Sequence, residues 1–352
     1  MRFTWQKHQL QFNFPAGTSR GVLTCKTLWL ISFSHQGKSG IGECSIIEGL
    51  TPFYENDVQF ESLIKQCLEP LNSFGGTPRE LLNELNEINP SLKQYAPIIF
   101  AIECALFSWL SENNYLLFDN SFSRGTKGIP INGLIWMGDI EWMREQVRLK
   151  IMDGYSVLKF KIGALDWNQE LALISAVREK YTAEDLSIRV DANGAFTSEN
   201  VHQVLESLKD LQIHSIEQPV HPQDTALLKA LCREAIIPIA LDESLISCTN
   251  QNEKERLLDE LKPQFIVLKP SLHGGLSGVK QWIELAENQG ISWWITSALE
   301  SNIGLTAIAQ FCGNYKVLIP QGLGTGSLFV DNFPSNLVID KGAIRHYLPE
   351  QG

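Results

Sequence analysis

Five ionisable residues stand at the ends of apolar runs in the second half of the chain. Lys161 ends SVLKFK, Asp191 ends LSIRVD, Glu217 ends IHSIE, Asp242 ends IPIALD and Lys269 ends QFIVLK. Successive members lie 30, 26, 25 and 27 residues apart, close to one strand and one helix with their loops. Polar groups are costly at such positions unless they have a task. Neighbouring strands about 4.8 Å apart would bring the three carboxylates within roughly 10 Å, near enough to share one ion. Three carboxylates without His or Cys select a hard cation, Mg²⁺ ahead of Mn²⁺, with positions left for substrate oxygens. The competing use, a salt-bridge ring serving stability, belongs to the opposite face of a barrel.

The lysines complete the chemistry. Lys159 and Lys161 share a strand face because side chains alternate. Their mutual repulsion and the dication are expected to lower their pKa from about 10.4 toward roughly 7 to 8, where a neutral amine acts as a base. In an eight-stranded barrel the second and sixth strand ends are half a circumference apart, so Lys161 and Lys269 would face each other across the carboxylates. Such a site suits removal of a proton α to a carboxylate, with metal and ammonium stabilising the enediolate.

The elements that would position these groups follow from rhythm. Eight short apolar runs alternate with amphipathic stretches, beginning near Pro130, Ser156, Leu186, Ile213, Ile237, Gln264, Ile291 and Lys316. Such βα repetition predicts a TIM-type barrel with its site at the strand C-terminal ends, an open doubly wound sheet being the alternative. Residues 1–125 read as an α+β domain, with a hairpin over Gly21 to Ser45 turning at Gly-Lys-Ser-Gly, and a buried helix from Pro97 to Leu110. Polar Asn120 to Gly128 marks the boundary, residues 126–330 the barrel, and 331–352 a C-terminal hairpin returning to the first domain.

Composition narrows the class. The 352 residues suffice for about two domains, and acids exceed bases by 11, which repels phosphate backbones and argues against nucleic acid. No apolar stretch reaches the roughly 18 residues of a membrane helix, and the N-terminus lacks a signal-peptide core. A cytoplasmic protein with no membrane partner is expected, its 7 scattered cysteines being buried thiols. Nothing in the sequence sets the oligomeric state. GLGTGS at 322–327 reads as the loop after the eighth strand, possible pocket lining, not a nucleotide site. Of Trp293 and Trp294, one should face the barrel and one the helices. Glu253 to Arg256 reads as a solvated helix face, and His214, His221 and His273 as ordinary histidines.

LKFKIG, VDANGAF, IEQP, ALDES and VLKPSLHGG, in this order and spacing, resemble the enolase superfamily, muconate-lactonizing subgroup. The resemblance implies a modified TIM barrel, (β/α)7β, with an N-terminal α+β capping domain. ITSALESNIGLTAIAQ and Arg189 are most similar to the o-succinylbenzoate synthase family, lyases that carry out a Mg²⁺-dependent syn dehydration in menaquinone biosynthesis. N-acylamino-acid racemases and dipeptide epimerases, which use the same two lysines, are the alternative. Carried over by position, Lys161 is the base and then the acid, and Lys269 the cation facing the enediolate. Asp191, Glu217 and Asp242 hold the metal. Lys159, Arg189, Asn193 and Ser297 contact a small carboxylate substrate, and Glu43 to Phe53 is the capping loop.

Overall fold

The computed structural model describes residues 1–18, 21–111 and 116–348. An antiparallel sheet of β1 (Arg2–Thr18), β2 (Gly21–His35) and β3 (Lys38–Ser45) opens the chain. Alternation along β2 sends Trp29, Ile31 and Phe33 into one core and Leu28 and Leu30 into another, shared with Trp136 and Phe329 of the barrel side. The β2–β3 turn falls earlier than expected. His35 pairs with Lys38, so Gln36 and Gly37, with φ of 50° and 77°, form the two-residue turn whose twist suits a hairpin.

Helices α1 (Asp57–Asn72), α2 (Pro78–Asn83), α3 (Leu85–Ile88) and α4 (Ala96–Leu110) cover the first of those cores. The apolar text of α4 is buried on most sides, as predicted. It lies directly on the backbone of β3: a Cβ at Gly42 would stand 2.0 Å from the Ala101 carbonyl oxygen. Only glycine permits that approach.

After the two-residue strand β4 (Ile129–Pro130), seven parallel strands follow one another in sequence order. They are β5 (Gly133–Ile135), β6 (Val157–Lys161), β7 (Ser187–Asp191), β8 (Ser215–Glu217), β9 (Ile239–Leu241), β10 (Phe265–Leu268) and β11 (Ser292–Ile295). Each is followed by a helix: α5 (Ile140–Met152), α6 (Trp167–Arg178), α7 (Val201–Asp210), α8 (Thr225–Glu234), α9 (Gln251–Leu261), α10 (Gly275–Asn288) and α11 (Asn302–Cys312). The eighth run differs from expectation. Leu318 is exposed and Pro320 has no N–H to offer a ladder. Closure falls to Gln321 and Gly322 alone. The Gln321 N–H donates to Pro130 at 2.8 Å, its carbonyl accepts from Asn132 at 2.9 Å, and the Gly322 N–H donates to Ile295 at 2.8 Å. With both neighbours engaged, the sheet is the closed (β/α)7β barrel and not an open one.

The C-terminal hairpin forms from β12 (Leu337–Asp340) and β13 (Ala343–His346), and β13 pairs with β4. The C-terminal segment meets β1 at its start, where the Gln11 N–H donates to Asp331 Oδ1 at 2.9 Å and the Phe333 ring stands edge-on to His8 at 5.5 Å. Just before it, the Asn13 N–H donates to the Leu328 carbonyl at 2.8 Å and the Val330 N–H to the Gln11 carbonyl at 2.9 Å. One expectation about the helices is corrected. Lys254 is not solvated; it is buried, donating to the Gly278 carbonyl and Gln281 Oε1, each at 3.0 Å. Charge alone does not reveal that α9 turns this residue toward α10. No helix among the described residues is long and apolar enough to cross a membrane.

Candidate active site

Parallel pairing aligns the charged strand ends. Lys161 is in register with Asp191 and Asp191 with Glu217, while Glu217 pairs with Ala240, two residues before Asp242. The stagger is barrel shear, which carries each successive strand end a little farther along. Alternation points Lys159, Lys161, Asp191, Glu217, Asp242 and Lys269 to the interior.

These groups meet as ion pairs. The Lys159 ammonium lies 2.9 Å from Asp191 Oδ2 and 2.6 Å from Glu217 Oε2. Lys161 lies 3.0 Å from the same Asp191 oxygen and donates to Asn193 Oδ1 at 2.8 Å. Asn193 in turn donates through its side chain to Glu243 at 3.0 Å. Lys269 is hydrogen-bonded to Asp242. The expectation that Lys159 is lowered is not met: burial acts in that direction, but the Asp191 and Glu217 carboxylates outweigh it and raise the ammonium. Burial opposes ionisation of Asp191 too, yet Lys159, Lys161 and Lys269 hold its carboxyl far below the usual range. Asp242 is lowered against its burial chiefly by Lys269. Glu217 goes the other way, pushed up to about 8 by burial and then by the Asp191 charge.

The three carboxyls fit a hard dication. Glu217 Oε1 and Asp242 Oδ1 are buried oxygens that accept no hydrogen bond among the described residues. Each carboxyl, though paired with a lysine through its other oxygen, thus keeps a costly unmet acceptor that a metal cation would satisfy. As the side chains stand, no three His, Cys, Asp or Glu of the described residues already form a metal-binding group.

The cavity beside this cluster measures about 510 Å³. Lys159, Lys161, Asp191, Asn193, Lys269 and Ser297 line it, together with Val22, Leu23 and Ile47 to Leu50 of the cap. Only this middle part of the Glu43 to Phe53 segment reaches the cavity; Glu43 is buried in β3, where it binds the start of α11. Arg189 is not brought to the cavity. It sits one layer deeper in the barrel, over the Trp294 ring at 4.3 Å, and donates to the Pro320 carbonyl at 2.8 Å. Spacing of two residues places it on the right face but not at the right depth. Trp294 thus faces the barrel interior and Trp293 the helices. His273 is buried, accepting the Lys269 backbone N–H at 2.9 Å.

Several lining residues were missed. Glu243 follows Asp242 in ALDES, and Thr325 lies within GLGTGS, its hydroxyl 2.6 Å from that of Ser297. The glycine loop therefore lines the pocket as anticipated. Asn132 and Trp136 come from the first barrel strand region, where no charge drew notice. A subtler signal is conformational: Asn193, Gln218 and Leu299 have φ of 44°, 40° and 61°, strained values that tend to gather at functional sites.

Residues 142–350 match the family model of the enolase C-terminal domain-like proteins. Over 98% of both chains, the protein is 43% identical to an o-succinylbenzoate synthase of Desulfotalea psychrophila. The crystal structure of MenC from that organism superimposes with a TM-score of 0.85, at 38% identity, covering 98% of this chain and 99% of that one. The L-Ala-D/L-Glu epimerase of Bacillus subtilis shares the fold, with a TM-score of 0.83 at 21% identity over 99% of this chain and 96% of its own. Family model, full-length identity and superposition agree that the chain belongs to the enolase superfamily and, within it, to the o-succinylbenzoate synthase family.

Proposed function

We propose that the protein dehydrates 2-succinyl-6-hydroxy-2,4-cyclohexadiene-1-carboxylate to o-succinylbenzoate, a hydro-lyase step of menaquinone biosynthesis in the cytoplasm. The observation that carries the reading is that Lys161 and Lys269 line one cavity while pairing with different carboxylates, Asp191 and Asp242. A divalent metal, Mg²⁺ by the chemistry of the donors, would be held by Asp191, Glu217 and Asp242 and would supply Lewis-acid polarisation of the substrate carboxylate.

Lys161, as its neutral amine, takes the proton from ring carbon 1, α to that carboxylate. The electron pair left behind spreads into an enediolate, which the Lys269 ammonium stabilises from the opposite side. When the pair returns to form the double bond between carbons 1 and 6, the carbon 6 hydroxyl departs with the proton that Lys161 gives back. Water leaves and the ring becomes aromatic. One lysine serving both transfers accounts for syn geometry. Asn193 orients Lys161 through their hydrogen bond, and Ser297 and Lys159 meet the substrate from the cavity wall. Arg189 acts from beneath, filling the barrel under Asp191.

The test is direct: purified protein with Mg²⁺ and the cyclohexadiene substrate, aromatisation being followed by absorbance. Turnover supports the assignment. No aromatisation, with racemisation of an N-succinyl amino acid in its place, would overturn it.

A further inference from the structure

Lys26 lies on the barrel-facing side of β2 and is 3% exposed, yet the reaction described above makes no use of it. Its ammonium donates to the Ile46 carbonyl at 2.6 Å and to the Ala298 carbonyl at 3.0 Å. Ile46 is the point at which the chain leaves β3 for Ile47 to Leu50, which line the cavity, and Ala298 follows the cavity residue Ser297. One side chain therefore ties the cap's contribution to the pocket to the barrel's.

Its surroundings argue that the charge is there for those bonds. Glu43 and Glu300 are fully buried nearby and act on Lys26 electrostatically, but each is already engaged with barrel backbone. Glu43 accepts from the Ser301 and Gly304 N–H groups at 2.8 and 2.9 Å, and Glu300 from the Ala298 N–H at 2.6 Å. A methionine would fill the same volume without the cost of burying a charge. What it could not supply is a pair of directed donors to the Ile46 and Ala298 backbone carbonyls.

We propose that Lys26 is a positioning residue: it latches segment 46–50 of the cap to the loop carrying Ser297, and so fixes the pocket wall that cap and barrel build together. The inference rests on the dehydratase reading only for its kinetic consequence; its structural consequence stands apart. Loosening the latch should weaken substrate binding more than the proton transfers, because Lys161 and Lys269 are held by other elements.

The experiment compares wild type, Lys26→Met and Lys26→Arg by steady-state dehydration kinetics and by hydrogen exchange of ligand-free protein. Lys26→Met should raise KM by about tenfold or more with a much smaller change in kcat, and exchange at Ile47 to Thr51 should speed up by about tenfold. Lys26→Arg, which keeps the donors, should recover toward wild type in both. A purely structural role would instead lower the active fraction, and hence kcat, at constant KM. If Lys26→Met does not fold, Lys26→Met/Glu300→Gln, which removes one charge of each sign, carries the same two readouts. Faster local exchange without dehydration even by wild type would uphold the latch and sink the dehydratase reading. A folded Lys26→Met protein with wild-type KM and wild-type exchange would overturn the latch while leaving that reading intact.

Discussion

Glu217 carries the electrostatic decision at the site. Burial and the Asp191 charge push its pKa up to about 8 against the pull of Lys159, so a proton would compete around neutral pH with a metal held there. Mg²⁺ affinity should therefore rise as pH increases from 6 toward about 8 and level off above it, as titration calorimetry at several pH values would report; a flat profile would show that Glu217 is not a ligand. EDTA should abolish turnover and Mg²⁺ restore it. The lysines separate by chemistry. Lys161→Ala should end dehydration if, as proposed, Lys161 is the base that takes the α proton. Lys269→Ala should lose about a hundredfold or more in rate, whereas Lys269→Arg, a cation that cannot act as a base, should regain part of it. Should Lys161→Ala retain dehydration while Lys269→Arg stays as inactive as Lys269→Ala, the two roles are reversed.

Among the elements, β3 does two tasks. Its backbone lies against α4, and Gly42 is where the contact is tightest. Gly42→Ala should destabilise the protein by about 3 kcal/mol, the upper end for overpacking, because the neighbour is a backbone carbonyl that cannot swing aside; an unchanged denaturation midpoint would contradict this packing. Beyond its end, β3 delivers Ile47 to Leu50 to the cavity, with the Ile47 N–H donating to Thr51 Oγ1 at 3.1 Å and the Thr51 N–H returning to the Ile47 carbonyl at 2.9 Å. Replacing Ile47 and Leu50 by alanine should raise KM and lower kcat together, since this segment helps to close the pocket against water. Kinetics like those of wild type would move substrate selection to the barrel loops.

At the scale of the molecule, cap and barrel are joined by buried carboxylates seated on barrel helices. Glu43 of β3 accepts N–H groups at the start of α11, and Glu103 of α4 accepts those of Leu276 and Ser277 at the start of α10, at 2.6 and 3.1 Å. Burial pushes Glu103 up to about 7 against these bonds. A carboxyl whose folded pKa exceeds its unfolded value contributes stability at low pH and loses it as pH rises from about 4.3 through the folded value. Thermal unfolding of wild type should show that loss between pH 5 and 7.5, and Glu103→Gln should flatten it; an unchanged slope would assign the effect elsewhere. The seven helix-linked barrel strands, and the strand-end places of Lys161, Asp191, Glu217, Asp242 and Lys269, could be read from the sequence because they depend on local periodicity, which one chain segment carries by itself. Depth and partnership could not. Arg189 shares a strand face with Asp191, yet strand stagger leaves it below the cavity. The last barrel strand is two residues long because its neighbours, not its own apolar text, decide which backbone groups find partners. Lys254, read from its sequence as part of a solvated face, is buried in the fold, as are Lys26 and Glu103, because burial is a property of what comes to lie opposite a side chain, and those partners come from other elements of the fold.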